Sequence, residues 1–161
     1  PAAAAYRVPI LELGGGTGTV TEALLECGLD PHDLVVLERD VQLHRHLERR
    51  FPSARVVRGD AARAHQVLES LGLAHVGAIV SSLPLLSMPL LTRRRILGSA
   101  FRSLAPGGFF LQFTYGPKSP VPKRMMDSLG ITGRPIDRVW RNVPPATVWK
   151  YERAAGSPVS P

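Results

Sequence analysis

The stretch LELGGGTGTVTEAL, residues 11–24, sets Gly14, Gly15, Gly16 and Gly18 between an apolar run and an amphipathic one. Residues 8–13 (VPILEL) predict a short buried strand, and residues 19–27 bring Val20, Ala23, Leu24 and Cys27 onto one helical face. The unit is strand, glycine turn, helix, and its rhythm repeats outward. Residues 33–38 (DLVVLE) predict a second strand, and 41–51 a helix with Leu43 and Leu47 inward. Residues 54–60 (ARVVRGD) predict a third strand, followed by a helix over 61–71 that presents Ala64, Val67, Leu68 and Leu71. A fourth strand follows at 76–83, a helix at 90–104 with Leu90, Leu97, Phe101 and Leu104 inward, and a turn feeding a fifth strand at 106–116. Parallel strands need long crossovers, which helices supply. The expected fold is α/β: a Rossmann-like three-layer αβα sandwich with a mostly parallel sheet.

Beyond Gly116 the rhythm changes. Residues 125–129 predict a short helix, and 137–152 (DRVWRNVPPATVWKYE) an antiparallel C-terminal hairpin about a Pro-Pro turn, closing one sheet edge. A length of 161 residues with 44% hydrophobic composition fits one domain, taken as residues 1–153, with a disordered tail over 154–161. The start, PAAAAYRVPI, lacks a Met and reads as a trimmed chain or fragment.

Twenty Lys and Arg against 13 Asp and Glu give a net charge of +7, which favours anionic partners: nucleic acid or an acidic lipid surface. Basic residues gather at Arg93–Arg95, which we take for a solvated helix face, at Lys118, Lys123 and Arg124, and at Arg134, Arg138 and Arg141. The middle group falls beyond the fifth strand, where substrate enters an open α/β sheet. Met125 and Met126 beside it fit core filler better than a lipid-inserting turn. The single cysteine, Cys27, excludes an internal disulfide and is expected as a small buried hydrophobe. The five histidines form no metal set. With neither a membrane-length apolar run nor a signal peptide, a soluble intracellular protein is expected.

The glycine turn is not a dinucleotide fingerprint, because G-x-G-x-x-G begun at Gly14 or Gly16 ends on Thr19 or Thr21. No Gly-Lys-Ser/Thr follows, so a Walker loop is excluded as well. The spacing present is Glu12-x-Gly14-x-Gly16-x-Gly18. It resembles motif I of the class I S-adenosyl-L-methionine (SAM) dependent methyltransferases, a likeness that extends over residues 8–151. The resemblance implies SAM as cofactor and S-adenosyl-L-homocysteine as product. Gly14, Gly15, Gly16, Thr17 and Gly18 would lie against the ligand, with Glu12 toward its cationic end, directly or through water. Glu38, 20 residues after Gly18 and followed by Arg39, would accept the ribose hydroxyls. Gly59, Asp60 and Ala61 would meet the adenine, although Asp60 also suits a helix N-cap. Ser81, Ser82 and Leu83 would complete the cofactor cleft.

The acceptor is read further along. In amino-directed methyltransferases a polar residue after the fourth strand is followed by Leu-Pro or Pro-Pro and then an aromatic that stacks on a base. In SSLPLL, residues 81–86, Leu85 holds the aromatic position. Stacking contributes about 1–3 kcal/mol per base, so its loss counts against the similar ribosomal RNA adenine dimethylases. A fuller match is to bacterial phospholipid N-methyltransferases: SLPLL at 82–86, QFTYGP at 112–117, and WRNVPPA at 140–146 with Val148, Trp149 and Tyr151. This resemblance implies methylation of the amino group of phosphatidylethanolamine, in successive steps to phosphatidylcholine. It also implies a cytoplasmic protein on the inner face of the cell membrane, bound peripherally to its anionic surface, with no nucleic acid and no metal as partners. A basic helical segment is expected ahead of motif I, where seven residues precede Val8. Ser82 and Tyr115 are the candidate catalytic residues. The ring of Tyr115 offers a methylated ammonium about 0.5–2 kcal/mol of cation–π attraction, unless it packs in the core or stiffens the Gly116-Pro117 turn. Neither a carboxylate nor a His lies in SSLPLL, so no general base is named. The rival readings are an RNA adenine N-methyltransferase and a non-catalytic lipid or nucleic-acid binding module.

Overall fold

The run LVVLE is buried at all five positions, as a strand covered on both faces requires. It is β2 (Leu34–Glu38) of a computed structural model that describes residues 8–139 and 146–156. The other strands are β1 (Ile10–Leu13), β3 (Arg55–Arg58), β4 (Val76–Ser81), β5 (Leu104–Tyr115), β6 (Ile131–Val139) and β7 (Ala146–Arg153). The helices are α1 (Thr19–Glu26), α2 (Val41–Arg50), α3 (Ala64–Ser70), α4 (Leu90–Ser103) and α5 (Lys123–Leu129).

These seven strands form one sheet in the order β3-β2-β1-β4-β5-β7-β6. The first five are parallel, β7 runs antiparallel to β5, and β6 antiparallel to β7. Because β1 pairs with β2 on one side and β4 on the other, the order reverses there. A crevice consequently opens at the carboxyl ends of β1 and β4. Leu34, Val36 and Leu47 pack on one face with Leu24, Leu25 and Phe51 from the α1 and α2 side. Leu11, Leu13, Val35 and Leu37 pack on the other with Leu68, Leu97, Phe101 and Met125 from α3, α4 and α5. The expected three layers and mostly parallel sheet with its antiparallel C-terminal hairpin are all present.

The differences are local. The helix expected from residue 61 opens as a 3-10 turn, Ala61–Arg63, capped by Asp60, and α3 follows it. Leu90 was expected inward but is 56% exposed, because the first turn of α4 precedes the packed part of the helix, whose buried residues start at Ile96. Met125 is buried and Met126 packs against the same core, as filler. In the hairpin, β6 begins earlier than expected and the Pro-Pro turn lies in residues 140–145, outside the described ones. The same holds for Arg141 and for residues 157–161 of the tail.

Tyr151 of β7 is the largest fully buried side chain among the described residues. It lies edge-on to Phe110 and shares a 2.7 Å hydrogen bond with the Ser119 hydroxyl. Burial pushes its phenol up to about 12. Gly133 faces it across the ladder, and a Cβ there would run into the Tyr151 ring. Gly133→Ala therefore overpacks the hairpin and is expected to cost about 1–3 kcal/mol, seen as a lower urea midpoint with an unchanged slope.

Candidate cofactor and acceptor site

The turn after β1 is bare chiefly because the protein itself fills the space. A Cβ on Gly14 would come within 2.6 Å of Leu83, and one on Gly15 within 2.5 Å of Val36 and 2.7 Å of Leu47. On Gly18 it would run into Phe51. Gly16 differs: a Cβ there would meet only Gly14 O at 3.9 Å, and its φ of +54° suits glycine. Among these four glycines, close approach of a ligand is thus an argument for Gly16 alone.

Glu12, at the end of β1, is fully buried beneath this turn. Its Oε2 accepts a 2.7 Å hydrogen bond from the Thr21 hydroxyl, while Oε1 has no partner among the described residues. Burial pushes the carboxyl up to about 7. The Thr21 hydrogen bonds oppose that shift, and the nearby Glu38 charge adds to it. Such a buried, half-satisfied carboxylate is suited to a cation, as the ammonium end of SAM supplies. Thr21 was missed in the sequence; the available signal was a hydroxyl on the inward side of a short helix, where burial demands a partner.

Glu38 does more than the sequence indicated. Its Oε2 accepts the Gly16 N–H at 2.9 Å and its Oε1 the Asp40 N–H at 2.8 Å, so the carboxylate staples the glycine turn to the exit of β2. Each oxygen retains acceptor capacity for a hydroxyl. A cavity of about 490 Å³ is lined by Glu38, Arg39, Gly59, Asp60, Ala61 and Leu83, together with Met88 and Ile96. A lining that combines the carboxylates of Glu38 and Asp60 with the aliphatic Leu83, Met88 and Ile96 suits a ribose and a planar base. Asp60 also accepts the Ala62 N–H at 2.9 Å, so capping and cavity lining coexist in one residue.

A second cleft, of about 590 Å³, runs from Gly14, Gly15, Gly16 and Thr17 along α1 to Phe113 and Tyr115. Its α1 wall is Val20, Ala23, Leu24 and Cys27. Cys27 is exposed rather than buried, because this helical face overlooks the cleft instead of a packed core. Next to it, a pocket of about 200 Å³ is bounded by Ser82, Leu83, Pro84, Leu86 and Tyr115. The Ser82 hydroxyl donates to Gly14 O at 2.7 Å, tying the exit of β4 to the glycine turn. Ser81 is fully buried, accepts the Leu83 N–H at 3.3 Å, and is not among the residues lining these cavities. Tyr115 is 65% exposed at the boundary between cleft and pocket, which disposes of a core role.

Two side chains hold the loop after β4, and sequence reasoning missed both contributions. Gln112 donates to Leu83 O at 2.9 Å. Arg93 donates to the carbonyls of Leu86 at 2.9 Å, Met88 at 2.9 Å and Pro120 at 3.0 Å. The solvated-face reading of Arg93 is thus corrected: its guanidinium fork clamps the loops after β4 and β5 together. Among the described residues, no cluster of His, Cys, Asp or Glu is placed to hold a metal ion, and no helix is long and apolar enough to cross a membrane.

The strand order, with a glycine turn after β1 and acids closing β2 and β3, is that of the class I SAM-dependent methyltransferase fold. Solved structures share the fold. The glycopeptide N-methyltransferase MtfA complexed with sinefungin superposes at a TM-score of 0.69 and 15% identity, over 91% of this chain and 86% of that one. The CcbJ methyltransferase from Streptomyces caelestis gives 0.69 and 17%, over 96% and 86%. The CurJ carbon methyltransferase gives 0.68 and 15% over 91% of this chain, which spans 49% of the CurJ chain. No family model matches the sequence. The ornithine lipid N-methyltransferase of Singulisphaera acidiphila is 32% identical over 142 residues, covering 85% of this chain and 71% of that protein. The chain belongs to the family of that methyltransferase.

Two outcomes follow from this geometry. The carboxyl of Glu12 is held above its ordinary 4.5, so the fold binds the proton more tightly than the unfolded chain does. That stabilisation is complete below about pH 4.5 and is lost as pH rises through about 7, amounting to about 3 kcal/mol. Urea unfolding between these limits should show the fall, and Glu12→Gln should flatten it. Arg93→Ala should lower stability by about 1–3 kcal/mol and speed hydrogen exchange at Leu85 and Met88. Arg93→Lys should recover only part, since a point charge cannot span three carbonyls.

Proposed function

We propose that this chain transfers a methyl group from SAM to the primary amine of a membrane lipid, with phosphatidylethanolamine as the acceptor and further rounds leading to phosphatidylcholine. The observation that carries the reading is the small pocket beside the glycine turn. Leu83, Pro84, Leu86, Phe113 and the exposed Tyr115 line it together with Ser82, Ser87 and Thr114, and no carboxylate does. Leu85, at the place a base-stacking aromatic would take, is 1% exposed and packed in the core. That supports a compact amine head group over a flipped adenine and weighs against an RNA acceptor. The name of the Singulisphaera relative supports a lipid acceptor and favours a second reading, ornithine lipid, which also presents a primary alkyl amine.

In this proposal the donor is held by Glu12 and Gly16, by Glu38 and Arg39 around the ribose, and by Gly59, Asp60, Ala61 and Leu83 around the base. When bound, SAM supplies an electrophilic methyl on a sulfonium. Ser82 and Gln112 fix the loop after β4 against the glycine turn, so that acceptor and donor sites share a wall. Tyr115 presents its ring to the amine, an attraction that persists as methyl groups accumulate. Apolar walls desolvate the ammonium and favour the neutral amine that must attack. The protein works at an anionic membrane surface on the cytoplasmic side, as one domain over residues 1–153.

The test is to incubate the full chain and labelled SAM with vesicles containing phosphatidylethanolamine, vesicles containing ornithine lipid, or RNA. Label in phosphatidylethanolamine is the expected result; label confined to ornithine lipid moves the acceptor to the second reading, and label in RNA alone overturns the lipid assignment. On the monomethyl lipid, Tyr115→Phe should retain most of the rate. Tyr115→Ala should lose about threefold to thirtyfold.

A further inference from the structure

Between Glu69 and Asp127 the sequence holds no acidic residue, but seven basic ones: Arg93, Arg94, Arg95, Arg102, Lys118, Lys123 and Arg124. Over the same span, Leu86 is 45%, Leu90 56% and Leu91 60% exposed, and Tyr115, at the end of β5, borders the small pocket with Leu86. Four of the seven exposed large apolar side chains among the described residues thus lie on the loop after β4, the first turn of α4 and the end of β5. A solvated surface scatters such residues; a cluster bordered by charge of one sign marks a surface that meets a partner.

This edge is also stiff. Through its bonds to Leu86, Met88 and Pro120, Arg93 makes one unit of the loop after β4, the start of α4 and the loop after β5. Leu86 and Tyr115 border the small acceptor pocket, so whatever covers the edge sits at its mouth.

We infer that Leu86, Leu90 and Leu91 form an apolar edge that inserts into an anionic phospholipid bilayer, with Arg95, Lys118 and Arg124 set against the head-group phosphates. The purpose of this docking rests on the lipid acceptor proposed above. A bilayer offers both chemistries this edge needs, an apolar layer for leucines and a phosphate layer for cations. RNA offers the leucines nothing. Each inserted leucine should raise partitioning about tenfold and each cation about fivefold.

The experiment compares the full chain with Leu90→Ser/Leu91→Ser and with Arg95→Glu/Arg124→Glu. Readouts are cosedimentation with phosphatidylethanolamine/phosphatidylglycerol vesicles, with pure phosphatidylcholine vesicles and with RNA at matched salt, and methyl transfer to lipid in detergent micelles. The leucine pair is exposed and outside the proposed cofactor site, so its unfolding midpoint and SAM affinity should match wild type. Vesicle binding by the leucine variant should fall at least about tenfold while its micelle activity persists, and binding by the arginine variant should fall most at low salt. Wild-type vesicle binding by the leucine variant overturns the inference, as does binding of the wild type to RNA but not to vesicles. Leucine-dependent vesicle binding without label in any lipid upholds the docking edge and sinks the acceptor assignment instead. Label in micelle lipid with vesicle binding indifferent to Leu90 and Leu91 does the reverse.

Discussion

Glu38 accepts the amide of Gly16 with one carboxylate oxygen and that of Asp40 with the other, so one nearly buried charge fixes how the turn after β1 meets the exit of β2. The remainder of the crevice takes its shape from that turn. Ser82 reaches it from β4 through Gly14 O, Leu83 fills the space above Gly14, and Leu47 and Phe51 of the α2 side close on Gly15 and Gly18. Any side chain on three of the four glycines would push one of these neighbours away. The turn is thus a junction of β1, β2, β4 and α2, and both larger cavities open from it.

The layered fold was legible because strands buried on both faces cannot alternate. Runs such as LVVLE and VGAIVS have to lie inside, and the helices between them have to cross back over the sheet. Where the reading slipped, a local pattern met a tertiary fact. Leu90 fits the helical stripe of α4, yet the stripe extends one turn past the core it serves. Cys27, Ala23 and Val20 fit a buried stripe on α1, and an apolar cleft wall demands the same residues as a core does. Hydrophobic periodicity reports which face avoids water on average; it does not distinguish packed protein from a cavity.

The candidate site divides along the same line. Glu12, Glu38 and Asp60 were legible because each lies at or just past the carboxyl end of a strand, the edge where an open α/β sheet gathers its ligands. Thr21, Gln112 and Arg93 were not. Gln112 and Arg93 reach Leu83 and Pro120, 29 and 27 residues away in sequence, and Thr21 meets Glu12 only once the glycine turn has set α1 against β1. A run of three arginines gives no sign that the first is spent on three carbonyls and the second on the Ser128 hydroxyl. Such contacts exist only once the chain is folded.

Charge is distributed with a consistent sense around the crevice. Glu38 and Asp60 line the cavity proposed for the donor, with Glu12 buried beneath the glycine turn, whereas the whole span from Ser70 to Met126, which carries the proposed acceptor pocket, lacks a carboxylate. Oxygen acceptors near the glycine turn favour a donor that carries ammonium and hydroxyl groups. In the proposed reaction an amine entering from the other side meets mostly apolar walls, an aromatic face and the neutral residues Ser82, Ser87 and Thr114, none of which offers a counter-charge. Attack on a methyl group requires the amine's lone pair, so an acceptor pocket with a carboxylate would stabilise the wrong protonation state. In the proposed reaction, leaving that pocket free of acids replaces a dedicated base: desolvation lowers the ammonium's pKa, and the released proton passes to water at the exposed rim beside Tyr115.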